Sequence, residues 1–150
     1  MTEEKKNRIK LINTAWVYAL LAMAGGVFYR EFTKFSMFEG KTTLSVVHTH
    51  LFLLGMVFFL TASLFQFHVD VAGQKRFRLF YFIYNLGVAV TVIMLIWRGI
   101  TQVQGVELSK ALDASISGIA GIGHICTGIG IILYFAMLKQ AVRSQNNCIK

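Results

Sequence analysis

Proline is absent from this 150-residue chain, and both cysteine and charge are scarce. Only 15% of the residues are charged, against about a quarter in soluble proteins, and 55% are hydrophobic. The two cysteines, Cys126 and Cys148, form neither a metal-binding nor a disulfide pattern, and no Cys-x-x-Cys-His run exists to attach a c-type haem. The composition excludes a water-soluble core and indicates a membrane protein.

The basic residues give a net charge of +8, but they stand in short clusters between long apolar runs. Nucleic-acid binding would require them along one helical face, so we expect no nucleic-acid partner. Clusters at the ends of apolar runs are typical of membrane flanks. The partner that this pattern indicates is the lipid bilayer.

Four apolar segments reach the length of about 20 residues that a membrane-spanning helix needs. They cover approximately residues 9–28, 44–67, 79–97 and 114–138, and the links between them are short and polar. Because backbone groups in lipid must be satisfied internally, the segments are helices, and short links make neighbours antiparallel. We predict one all-α domain over residues 1–150, an integral membrane up-and-down four-helix bundle.

The first segment also has features of a secretory signal peptide, since Ala22-Met23-Ala24 before Gly25 is similar to a cleavage site. The apolar run continues through Phe28, however, which favours a retained helix. Cleavage of the first segment as a signal peptide stays an alternative.

The orientation follows from lysine and arginine on each side of the predicted spans. Ten lie on the side of the termini: Lys5, Lys6, Arg8, Lys10, Lys75, Arg76, Arg78, Lys139, Arg143 and Lys150. Five lie on the other side: Arg30, Lys34, Lys41, Arg98 and Lys110. We therefore predict a multi-pass protein of the plasma membrane with both termini in the cytoplasm.

No acidic or basic residue stands in the middle of a span. Secondary transporters and ion pathways commonly use broken helices or charges within the membrane, so neither class is indicated. The chain also lacks a nucleophile with a base, a carboxylate pair and a nucleotide-binding loop. We expect no enzymatic activity; if the chain is an enzyme, a haem-dependent oxidoreductase is the class that it would belong to.

Histidine remains as the chemically versatile side chain within the spans. His48 and His50 lie in the second segment and His124 in the fourth, whereas His68 lies at a helix end and is expected to be solvated. At 1.5 Å per residue, His50 lies roughly 9 Å and His124 roughly 15 Å below the outer ends of their helices. Helix tilt can absorb the difference, so a cofactor between helices 2 and 4 could contact both.

Small residues surround His124 at helical spacing: Ala120, Gly121, Thr127 and Gly128. A shallow trough of this kind suits a flat porphyrin, and imidazole is a common haem ligand. Small residues are equally typical of close helix packing in membranes, and the face from Gly118 to Gly130 could serve a homo-oligomer.

His48 and His50 are two residues apart and therefore point about 200° apart around a regular helix, so they cannot ligate one metal in the same way. His50 is closer in depth to His124, which favours it as the axial partner. We expect Tyr29, Arg30 and Arg98 at the outer ends of helices 1 and 3 to lie near haem propionates, although such residues are also interfacial anchors. Met56 is either core packing or a thioether ligand.

One further residue marks a helix boundary. Asp113 precedes Ala114-Ser115, and we predict it as the N-cap of the last helix.

Several of these motifs together resemble a family of small bacterial four-helix membrane proteins, the domain of unknown function 2871. The resemblance rests on Tyr29-Arg30-Glu31-Phe32, His48-Thr49-His50-Leu51, Leu54-Gly55-Met56, Tyr84-Asn85 with Gly87, and Gly121-Ile122-Gly123-His124. It implies a fold but no activity. More loosely, His-x-His-Leu followed by Leu-Gly is similar to ligand helices of haem–copper oxidases and nitric oxide reductases, which implies haem or copper ligation by His48, His50 and His124.

We therefore expect haem b in the outer half of the bundle, held by His124 and by His50 or His48, for electron transfer or for binding a small gas such as O2 or NO. A redox protein or a quinone would be the electron partner. Two alternatives stay open: a copper or zinc site without haem, and an interaction or assembly subunit without any cofactor.

Overall fold

The structure, a computed structural model, describes residues 3–148, which form four long helices joined by short links. Helix α1 spans Glu3–Phe35, α2 Leu44–His68, α3 Phe77–Val103 and α4 Lys110–Cys148. Each is long and apolar enough to cross a membrane, and the described residues contain no strand. The predicted all-α class is confirmed. Lys150, one of the basic residues counted for orientation, lies outside the described range.

Each helix contains one predicted apolar segment and continues beyond it. Helix α4, for example, begins at Lys110, because the hydroxyl of Ser109 accepts a hydrogen bond from the N–H of Leu112. Ser109 is therefore the N-cap, and the prediction of Asp113 for this role is wrong. Asp113 lies instead in the first turn, where its carboxylate still compensates the helix dipole.

The four helices form two pairs, and the pairs contact each other through α2 and α3. Helix α1 packs along α2, α4 packs along α3, and α2 and α3 pack against each other. Among the described residues, the backbones of α2 and α4 hardly approach each other. Side chains therefore fill the space between α2 and α4.

An aromatic cluster fills the half of the molecule that is nearer the chain termini. Phe59, Phe80 and Tyr84 are completely buried there, and Phe58 stacks on Tyr84 with ring centroids 4.2 Å apart. Phe58 also reaches across to Tyr134 of α4, at a centroid distance of 5.3 Å. In this half, aromatic rings thus close the space between α2 and α4.

Hydrogen bonds join the start of α2 to the end of α3. The hydroxyl of Thr42 donates to the carbonyl of Gly99 at 3.0 Å, and that of Thr43 donates to the carbonyl of Leu95 at 2.8 Å. The N–H of Thr43 donates to the side chain of Gln102 at 2.8 Å. These three bonds fix the depth of α2 relative to α3, and with it the position of the two histidines about one to two turns further along.

Glycine allows α3 and α4 to cross closely. A Cβ at Gly87 would collide with the backbone of Thr127 and Gly123, and one at Gly123 would collide with Thr91. In contrast, a Cβ at Gly118 of α4 would meet nothing. The close packing expected of small membrane residues therefore holds for the α3 side of α4.

We predict that Gly87→Ala lowers the melting temperature of the detergent-purified protein, because overpacking typically costs about 1–3 kcal/mol. Gly118→Ala is the matched control, and it should leave the melting temperature unchanged or raise it, since alanine is the better helix former. Equal destabilisation by the two changes would contradict the close crossing.

Candidate cofactor site

His50 of α2 and His124 of α4 face each other across the space between the two helices. Their ring centroids are 6.1 Å apart and their planes are nearly perpendicular, at 87°. His50 is half-buried and His124 is exposed at the side of the bundle. The two residues that the sequence placed at compatible depths are thus neighbours, although their helices barely touch.

Both rings are held in one tautomer by their own helices. Nδ1 of His50 lies 2.8 Å from the carbonyl oxygen of Val46, and Nδ1 of His124 lies 2.9 Å from that of Ala120. Because a carbonyl oxygen can only accept, each Nδ1 carries the proton. The lone pair of an uncharged imidazole in this orientation is on Nε2, the atom that can bind a metal.

The separation of the rings matches that of two ligands on one metal ion. Metal–nitrogen distances of about 2.0–2.1 Å on opposite sides of an ion place the two imidazole centroids about 6 Å apart. Hydrogen bonds from metal-bound histidines to backbone carbonyls commonly fix ring orientation in the same way. The centroid distance of the pair is therefore compatible with two ligands of one ion.

The small residues around His124 divide into two groups. Thr127 is buried against α3 and its hydroxyl donates to the carbonyl of Gly123 at 3.0 Å, so it belongs to the helix crossing. A Cβ at Gly121 or Gly128, one turn on either side of His124, would meet nothing within 4 Å. The surface beside the imidazole is therefore low and open, as a flat ligand would require.

The helical geometry changes directly after His50. Residues Leu51–Val57 form a π-helical segment, a rare arrangement that is frequent at functional sites. The hydroxyl of Tyr84 donates to the carbonyl of Leu54 at 2.7 Å, and a side chain at Gly55 would overlap the ring of Tyr18. Tyrosines from α3 and α1 thus hold the segment in place. The sequence reasoning did not predict it.

His48 lies on another side of α2, as the predicted turn between the two histidines requires. It faces α1, since a Cβ at Gly26 would lie 3.8 Å from its Cγ. Its Nδ1 is buried and has no hydrogen-bond partner among the described residues. The structure therefore brings together His50 and His124 and leaves His48 in the interface between α1 and α2.

The two arginines expected near propionates differ in their surroundings. Arg98 binds the carboxylate and the backbone carbonyl of Asp113 and donates to the hydroxyl of Ser117 at 2.7 Å. Arg30 has a side chain that is 80% exposed, with only a loose ion pair to Glu31 at 3.8 Å. Arg98 thus ties α4 to α3, whereas Arg30 is open to other partners.

Tyr29 and Met56, the other two residues predicted at the site, are half-buried and pack against the hydrophobic core. Within residues 3–148 no three histidine, cysteine, aspartate or glutamate side chains converge as a metal site would need. The metal-binding potential of the described chain therefore rests on a pair of ligands.

The sequence also matches a known family. Residues 9–141 match the family described as "Protein of unknown function (DUF2871)". The chain belongs to this family. The DUF2871 match contains all four predicted spans and the three membrane histidines, which confirms that resemblance.

Searches among curated proteins and among solved structures gave no match. The looser similarity to haem–copper oxidases is therefore not shown by the comparisons. The DUF2871 description names no activity.

Proposed function

We propose that this protein is a membrane haem b protein that transfers electrons, with His50 and His124 as the two axial ligands of one haem iron. The proposal is carried by one observation, the two imidazole rings on α2 and α4 whose centroids are 6.1 Å apart. Bound haem would supply a one-electron centre. The chain would supply the two ligands and the groups that orient them.

The helices supply the orientation of the ligands. The carbonyls of Val46 and Ala120 hold the Nδ1 protons, and such bonds raise the basicity of the Nε2 atoms. Because His50 and His124 would both bind the iron, this arrangement favours electron transfer over binding of O2 or NO. A redox protein or a quinone would then exchange electrons with the site.

The open surface at Gly121 and Gly128 supports a flat ligand beside His124. Of the two arginines, Arg30 is the better candidate for a propionate, since Arg98 already serves Asp113 and Ser117. A copper or zinc site is less well supported, because firm sites of these metals need three protein ligands or more and the described residues bring together two.

We further infer that the four helices cross the bacterial plasma membrane with both termini in the cytoplasm. The support is the excess of lysine and arginine on the side of the termini, ten against five. His50 and His124 would then lie in the outer half of the bilayer.

The haem proposal predicts a Soret band in the optical spectrum of protein purified from haem-supplied cells. His50→Ala and His124→Ala should each reduce the bound haem at least tenfold, because each removes one of two ligands. His48→Ala and the exposed His68→Ala should retain it, since neither ring faces the pair.

Two controls accompany these variants. Size-exclusion elution reports folding, and His124→Met, which keeps a ligand atom, should shift the spectrum and retain the haem. Metal analysis identifies iron or, in the competing case, copper or zinc. Absence of a Soret band after haem supply would rule the proposal out.

The orientation predicts which links a membrane-impermeant maleimide can label in intact cells. In a background with Cys126 and Cys148 replaced by serine, Glu107→Cys should be labelled and Lys75→Cys should not. Both positions are exposed in their links, so access depends only on the side of the membrane. The reverse pattern would overturn the orientation.

A further inference from the structure

A long groove lies between α1 and α3, separate from the histidine pair. Its volume is about 720 Å³. It is lined mainly by one face of α1 from Lys6 to Leu21 and by α3 from Tyr81 to Ile93, with Leu51 of α2 also in its wall. Nothing in the haem proposal uses this groove.

The groove is amphipathic along its length. Lys6 and Lys10 stand at the end nearer the N-terminus, and among the residues whose side chains the structure describes no acidic one lines the groove. The deeper part is walled by aliphatic side chains: Val17, Leu21, Leu51, Ala89, Val92 and Ile93. Positive charge is therefore confined to one end of the groove, and the opposite end is aliphatic.

The polar groups in the middle of the groove largely satisfy one another. The hydroxyl of Thr14 donates to the carbonyl of Lys10, so the 2.7 Å contact with Tyr81 is a bond donated by the tyrosine. The hydroxyl of Tyr18 donates to Asn85 at 2.8 Å, and Asn85 donates to the carbonyl of Tyr81 at 2.7 Å. A ligand with its polar part at this depth would have to compete with these bonds.

The length of the groove corresponds to one leaflet. Along α1, the helix rises about 22 Å over the fifteen steps from Lys6 to Leu21. Half of a bilayer, including its headgroup region, is about 20–22 Å thick. The charged end therefore lies at headgroup level when the apolar end lies near the middle of the membrane.

We propose that this groove binds one anionic phospholipid, with the phosphate at Lys6 and Lys10 and an acyl chain along the aliphatic wall. The charge at the mouth, the aliphatic inner end and the length of a leaflet match that amphiphile, whereas a neutral quinone has no charge for the lysines to bind. The lipid would link α1 to α3, where their side-chain contacts leave a gap. This proposal is independent of haem.

The test is lipid binding to the full-length protein in detergent, measured by native mass spectrometry. Phosphatidylglycerol should bind and phosphatidylcholine should bind much more weakly. The double variant Lys6→Ala/Lys10→Ala should weaken phosphatidylglycerol binding about thirtyfold, as expected for two cations near a phosphate. Lys75→Ala/Arg78→Ala, which removes the same charge from exposed positions outside the groove, should change it less than threefold.

A second pair of variants tests the groove itself. Ala89→Phe fills it and should abolish phosphatidylglycerol binding, whereas Ala136→Phe, at an exposed position of α4, should not. Phosphatidylglycerol should also raise the melting temperature of the wild type and of the Ala136→Phe variant only. Equal binding of phosphatidylcholine, equal effects of the paired variants, or displacement of the lipid by a short-chain quinone would each overturn the proposal.

Discussion

Backbone groups in a hydrocarbon environment must find their hydrogen-bond partners within the protein, and four long helices, each apolar enough to cross a membrane, meet that requirement. This requirement favours helices in the four long apolar segments. Among the described residues, few buried side-chain donors lack a hydrogen-bond partner. Where the helix geometry of α2 changes at Leu51–Val57, the hydroxyl of Tyr84 donates to the carbonyl of Leu54. His50 and His124 donate their Nδ1 protons to carbonyls of their own helices, which leaves each Nε2 atom as an acceptor.

The space between α2 and α4 differs between its two halves. Near the chain termini, Phe58 and Tyr134 close this space with aromatic rings. In the other half, the two histidines meet across it, and Gly121 and Gly128 leave the neighbouring surface open. One pair of helices thus combines a packed half with a half that could receive a flat cofactor. The rigid attachment of Thr42 and Thr43 to α3 keeps this second half in register.

The fold could be predicted because the apolar runs are long and their links are short. The meeting of His50 and His124 also followed from sequence, since the rise of a helix relates residue number to depth. Their roles as ligands stay predictions. The π-helical segment was missed because its sequence, with Gly55 alone as an irregularity, is that of an ordinary apolar helix. The bonds of Arg98 to Asp113 and Ser117 depend on how α3 and α4 approach, which no local pattern records.

In the proposed haem site, the perpendicular imidazoles of His50 and His124 would both bind one iron. Electron paramagnetic resonance of the oxidised, haem-loaded protein tests it most directly, because the ferric signal depends on the number of axial histidines and on the angle between their planes. With the planes at 87°, we predict a highly anisotropic low-spin signal that His50→Ala and His124→Ala each remove. A high-spin signal from the wild type, or a low-spin signal that survives either substitution, would contradict the account.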